Sequence, residues 1–421
     1  MSSIQRTPIA DGVYFNSVRD GRFKTMKLSV NLFVPLGAET ASQNALLAGV
    51  LSRSCKAFPD FTALSRKLSA LYGADLNVST NKFGDNQVIS ISASGLDDRY
   101  AMEGESIARE LSVLLCGVIF EPNLSGGAFV SSEVEQERRQ LLDLIDSEFN
   151  EKRIYANARM IELMCADEVF GIKRYGNAEA IKAASPESLY TAWQELLRTA
   201  YAEIIYIGDS APDKAMQVFT DAFGSVKRTP VSLHTEIVRK AGEVKRATEE
   251  IEVSQSKLVM GFRAGTALPD EEVRAAGLMC AILGGTATSK LFCNVREKQS
   301  LCYYCAARYD KYKGIVVIDS GVEGENIEKL EAGILKEIDD MKNGVISDFE
   351  IDSAKMAVIN AYQGSNDTVG GIEAWYARQL LQDGFKTIEE ESELLAAVTK
   401  DEIVAAAQKL TLDTVYVLKN K

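Results

Sequence analysis

The chain alternates between two hydrophobic periodicities. "KLSVNLFVPLGAE", from Lys27, places apolar residues at nearly every second position before a small-residue loop, the pattern of a strand with one buried face. "NALLAGVLSRS", Asn44 to Ser54, follows with apolar residues at helical spacing. A second helix, "FTALSRKLSALYGA", leads into "DLNVSTNKFGDNQVISISASG", which reads as strand, polar turn, strand. Farther on, "VSSEVEQERRQLLDLI" predicts a long helix with a serine N-cap and acidic residues in its first turn.

The same series then recurs in order. "KLVMGFRAGTALP" answers the first strand, "AAGLMCAILGG" the first helix, "LCYYCAARYDKYKGIVVIDSG" the strand pair, and "ISDFEIDSAKMAVINAY" the long helix. Hairpins mixed with helices predict an α+β unit, helices covering a mostly antiparallel sheet. Its repetition predicts two homologous halves, residues 1–228 and 249–421, joined by a charged, proline-bearing linker at 229–248. Two such halves arranged as a clamshell would leave a cleft for a ligand.

With 421 residues and 46% hydrophobic content, the chain exceeds the size at which single cores usually stop growing. Its net charge of -13 argues against a nucleic-acid groove or an anionic membrane surface, since both draw on clustered Lys and Arg. No apolar run is long enough for a bilayer, and "MSSIQRTPIADGVYF" lacks the centre of a secretion signal. Seven scattered cysteines fit reduced thiols, so a cytoplasmic protein is expected. The single histidine, His234, lies in the linker stretch, whereas zinc hydrolases commonly use two or three imidazoles.

In "LFVPLGAE", "LSALYGADLNVST", "SSEVEQERRQLLDLI", "RYGNAEAIKAASPESL", "IIYIGD", "ILGGTATSKLFCNVREKQSLCYY" and "ISDFEIDSAKMAVIN", taken in order, the chain resembles the pitrilysin, insulinase and mitochondrial-processing-peptidase family of inverted zinc peptidases. In that family a helix carries His-x-x-Glu-His, two imidazoles for zinc and a general base on one helix face, with a further Glu ligand on a later helix. Counted back from "LYGADLNVST", the motif falls on Leu47, Ala48, Gly49, Val50 and Leu51, and the later ligand on Leu144. These are degenerate metal positions, because an aliphatic side chain has no lone pair to offer. Neighbouring Asp143 is turned by roughly 100° from Leu144 and is a poor substitute. No metal is expected in this chain.

The family's second half supplies Arg-x6-Tyr, which reaches the bound peptide, and "REKQSLCY" has Arg296 and Tyr303 in that spacing. A guanidinium and a phenol can donate hydrogen bonds to a peptide carbonyl and to its oxyanion. In two-chain members the zinc-bearing chain works with a zinc-less homologue that helps to hold the substrate. The resemblance therefore implies a non-catalytic, peptide-binding subunit of a heterodimeric zinc endopeptidase, with zinc only in the partner. Among bacterial proteins it is most similar to the zinc-less members of paired insulinase-like proteins, a group associated with modification of elongation factor P. The alternative is a stand-alone peptide-binding clamshell without a proteolytic partner.

Three other stretches bear on chemistry. "CYYC" has the C-x-x-C spacing of thiol sites, but strand alternation sends Cys302 and Cys305 to opposite sheet faces, as packing residues. "GGTATSK" lacks the glycine before lysine that a phosphate loop requires, and its Gly-Gly suits either close approach of a partner or a helix end. "IEAWYARQLL" puts Trp375, Arg378 and Gln379 on a helix whose role, core or partner interface, stays open.

Overall fold

The computed structural model describes residues 4–421. The first half runs β1 (Gln5–Ala10), β2 (Val13–Arg19), β3 (Thr25–Pro35), α1 (Thr40–Leu51), α2 (Phe61–Ala70), β4 (Asp75–Phe83), β5 (Asn86–Leu96) and α3 (Ile107–Phe120). A two-residue ladder, β6 (Leu124–Ser125) with β7 (Ala128–Phe129), precedes α4 (Ser131–Asn150) and α5 (Lys152–Met164). Then come α6 (Ala178–Ala183), α7 (Pro186–Thr199), β8 (Tyr201–Gly208) and α8 (Asp213–Gly224). After an irregular stretch, β9 (Lys245–Ile251), β10 (Ser256–Arg263), α9 (Val273–Cys280), β11 (Cys302–Asp310) and β12 (Ile315–Val322) follow. The chain ends with α10 (Ile327–Lys342), α11 (Asp348–Gly364), α12 (Val369–Ala377), α13 (Ile388–Ala396), α14 (Lys400–Lys409) and β13 (Thr411–Asn420).

These elements form two compact α+β units. Unit 1 holds the chain up to Ile145, Ile172–His234 and Ser365–Thr387; unit 2 holds Asp146–Gly171, Thr235–Gly364 and Ile388–Lys421. Each unit thus includes a segment that sequence order would assign to the other half of the repeat.

In unit 1 the sheet order is β1-β2-β8-β3-β5-β4, with β2 and β8 parallel and every other pair antiparallel. Period-two alternation divides β3 between two faces. Met26, Leu28, Val30, Leu32 and Val34 enter an apolar core with residues of α1, α3, α7 and α8, while Lys27, Ser29 and Asn31 point to the other face. Helix α12 covers part of that second face, against β3 and β8.

In unit 2 the order is β11-β12-β10-β13-β9, with β13 and β9 the parallel pair. The order of connections matches β4-β5-β3-β8-β2, so the repeat legible in the sequence is also a repeat of topology. Leu258, Met260 and Phe262 of β10 face the main core with α9, α10 and α14. The opposite face receives α5, on β10 and β13, the counterparts of the strands that α12 covers in unit 1. Gly261 makes that docking possible: a Cβ there would lie 2.6 Å from the Met160 sulfur and 2.7 Å from that of Met164. Ala156, Met160, Met164, Val259, Tyr416 and Leu418 close this face as a second apolar cluster. No helix among the described residues is long and apolar enough to cross a membrane.

Candidate functional site

Helix α1 is buried almost all round, its apolar second half from Ala45 to Leu51 facing the core. Leu47, Val50 and Leu51 are 0%, 2% and 1% exposed and belong to the unit 1 core with Leu28 and Val30. Leu144 on α4 is 41% exposed and lies outside that cluster. The carboxylate close to the degenerate motif is that of Glu137, which would lie 2.5 Å from a Cβ on Gly49 and is paired with Arg53 at 2.7 Å. Ser54 likewise donates to Glu133 at 2.9 Å, so the acidic first turns of α4 are tied to the end of α1. Four aliphatic side chains, three of them in a dry core, do not fit a zinc ion. Among the described residues no cluster of three or more His, Cys, Asp or Glu is placed to hold a metal.

The start of α1 is fixed by polar contacts. Asn44 donates to Gln87 at 3.0 Å, and Gln87 donates to the carbonyls of Ala41 and Arg174 at 3.1 and 2.8 Å. The "RYGN" loop arrives through Gly176, at φ +67°, where a side chain would collide with Ser42; the next amide, Asn177, donates to the Ser42 hydroxyl at 3.0 Å. That motif therefore serves to seat the loop on α1.

On the other sheet face of unit 1 lies a cavity of about 760 Å³. Serines and asparagines of β3, β4 and β5 line it, with Lys27 and Asp75, and α12 with the residue that caps it forms a wall through Glu373 and Arg378. Ser29 donates to Glu373 at 2.7 Å, Lys27 lies 3.2 Å from the other carboxylate oxygen, and Ser90 donates to Asn31 at 2.7 Å. In unit 2 the counterpart of α12 is α5, which packs with its methionines on β10 and β13. β4, the outermost strand, borders the cavity. Sequence reasoning missed this site. The alternating polar positions of β3 and β5 were a signal for it, but Glu373 comes from 344 positions away and nothing local announces the pairing.

"IEAWYARQLL" divides its roles. Trp375 and Gln379 donate to the Lys386 carbonyl at 2.9 and 3.1 Å, which pins the following turn, while Arg378 lines the cavity.

In unit 2, Arg296 sits in a π-helical segment, Leu291–Lys298, stacked over Phe292 with its centroid 4.6 Å away and 3.4 Å from Glu297. Tyr303 is 53% exposed and donates to Glu323 at 2.6 Å, which raises its phenol above the ordinary range. Both reach the protein surface, the Tyr303 proton being held by Glu323. The Gly-Gly segment approaches the chain's own strand: a Cβ on Gly284 would lie 2.7 Å from the Ala307 amide of β11. The expectation for "CYYC" needs correction. A bulge between Cys302 and Tyr304 breaks the alternation, so Cys302 and Cys305 share one face.

Residues 183–358 match the family model described as Peptidase M16 inactive domain. Over 97% of its length the chain is 29% identical to the Probable inactive metalloprotease YmfF of Bacillus subtilis (strain 168), covering 96% of that protein. A conserved protein from Enterococcus faecalis V583 has the same fold at TM-score 0.91 and 25% identity, over 100% of this chain and 99% of that one. A peptidase M16 inactive domain from Pseudomonas fluorescens matches at TM-score 0.79 and 18% identity, over 99% and 98%, a likeness of fold.

Proposed function

We propose that this chain, a relative of the M16 peptidases of the inactive kind, is the non-catalytic, substrate-holding subunit of a two-chain zinc endopeptidase, the metal being carried by a homologous partner. One observation carries the reading: a polar cavity of peptide-accommodating size borders the terminal strand β4, while the metal positions hold Leu47, Val50, Leu51 and Leu144. An extended peptide laid along a sheet edge gains main-chain hydrogen bonds whatever its side chains. The serine and asparagine lining supplies donors and acceptors for further backbone groups. Arg296 and Tyr303 are the donors this chain would bring to a peptide carbonyl and to the oxyanion formed on it at the partner's zinc. The seven free cysteines support a reducing compartment, the cytoplasm.

A second reading, a peptide-binding protein with no proteolytic partner, is favoured by a cavity built entirely from one unit of this chain. Calorimetry with unstructured peptides, followed by turnover assays with a zinc-bearing homologue, separates the two. Peptide binding by the chain alone, with cleavage only in the mixture and a loss of about tenfold or more for Arg296→Ala or Tyr303→Phe, supports the first. Binding without cleavage in any mixture supports the second, and absence of binding rejects both.

A further inference from the structure

Strand β11 pairs Cys302 with Val322 of β12 and Tyr304 with Gly321, leaving Tyr303 as the extra residue. Beyond it the register is regular, with Cys305 opposite Ser320 and Ala307 opposite Ile318. On an unbroken strand, residues three apart face opposite sides about 10 Å from each other. With the bulge, the partners of Cys302 and Cys305 are only two positions apart on β12, so the cysteines share a face at a Cα separation of about 6.6 Å by strand rise. Disulfides span roughly 4.4–6.8 Å between Cα atoms. Both cysteines pack against the same core, Cys305 buried and Cys302 half-buried, while Tyr303 between them turns to solvent.

The pair differs from the remaining thiols. Cys55, Cys116, Cys165 and Cys280 are buried, and burial pushes each thiol up, the last three to about 12. Cys293 is half-buried, with its sulfur 3.9 Å from the Ala287 carbonyl. The neighbouring Cys305 thiol holds the Cys302 thiol below its ordinary value, and the Arg296 charge adds to this against the opposing effect of burial. Cys302 in turn, with burial, pushes Cys305 up.

We infer that Cys302 and Cys305 are a dithiol site that closes reversibly to a disulfide by exchange with a small disulfide of the glutathione class. Cys302, the more exposed sulfur, attacks as thiolate. The reagent's S–S bond breaks, and the half that leaves takes up the proton given by Cys302. Cys305 then attacks the Cys302 sulfur of the mixed disulfide, its proton passing to the second departing thiolate. The two protein thiols lose two electrons, and the small disulfide is reduced to two thiols. The site stands independently of the peptide-holding role.

The test is incubation of the full chain with oxidised glutathione, followed by alkylation, intact mass and peptide mapping. The wild type should lose two alkylatable thiols, mapped to a Cys302–Cys305 link, and retain no glutathione. Cys305→Ser should trap one glutathione on Cys302, and Cys302→Ser should leave Cys305 free. Wild-type protein that keeps both thiols alkylatable, or that holds glutathione stably on Cys302, overturns the inference. So does oxidation of Cys305 in Cys302→Ser.

Discussion

The Ser29 hydroxyl donates to Glu373 Oε1 at 2.7 Å, joining residues 344 positions apart. Lys27 completes the contact from the same strand face, and the carboxylate is almost fully buried. This is how α12, late in the sequence, is held on the sheet of unit 1. Glu373→Ala should therefore cost about 1–3 kcal/mol, because a half-buried ammonium and a buried hydroxyl lose their acceptor. Glu373→Gln keeps the shape and the Ser29 bond and should cost less. Urea denaturation of the two variants checks the order.

The helix that resembles a metal site is a core helix. Leu47→Ala should cost about 2–5 kcal/mol, the range for emptying a fully buried leucine position. Leu144→Ala, at an exposed site, should cost under about 1 kcal/mol. Thermal melts of the pair give the contrast. Equal losses would contradict the placement of Leu47 in a dry core.

Unit 2 carries a buried charge cluster around Arg263, which donates to Asp413 at 2.8 Å and to Glu168 at 2.6 Å. Lys313 lies 3.0 Å from the other oxygen of Glu168. Arg263→Ala would leave a buried carboxylate short of its partner and should cost about 3–5 kcal/mol. Chemical denaturation measures the loss. Glu168 follows α5, so the same variant should also speed hydrogen exchange of that helix.

Asp270 accepts from Arg239 at 2.5 Å, and this bond, with lesser help from the Ala267 amide and Thr266, holds its carboxyl at about 2 against the opposing effect of burial. A carboxyl held below its unfolded value stabilises the fold above that value, near 3.9, and loses the contribution as pH falls through the folded one. The contribution of Asp270 should thus be level from neutral pH to about 5 and fall between about 4 and 2. Arg239 is half exposed, so solvent screening limits this share to about 1 kcal/mol. Asp270→Asn should flatten that part of the curve in acid titrations followed by circular dichroism.

The repeated strands and helices were legible because side-chain periods of two and about 3.6 are local properties. Leu47, Val50 and Leu51 could be set on one helix for the same reason: their spacing is fixed within it. The exchange of α5 and α12 was not legible. An apolar helix face says that it will be covered and not by which sheet, and only Gly261 under Met160 and Glu373 over Ser29 decide it. The bulge at Tyr303 was hidden as well, since "CYYC" reads as an even strand until β12 sets its register. One extra residue moved a thiol across the sheet.

Whether the chain holds peptides and leaves cutting to another protein is decided by a cleavage assay on the purified chain in zinc-containing buffer, with metal analysis of the same sample. Substoichiometric zinc and no cleavage are expected, with cleavage only after a zinc-bearing homologue is added. One zinc per chain, with chelator-sensitive cleavage by the chain alone, would contradict the substrate-holding role.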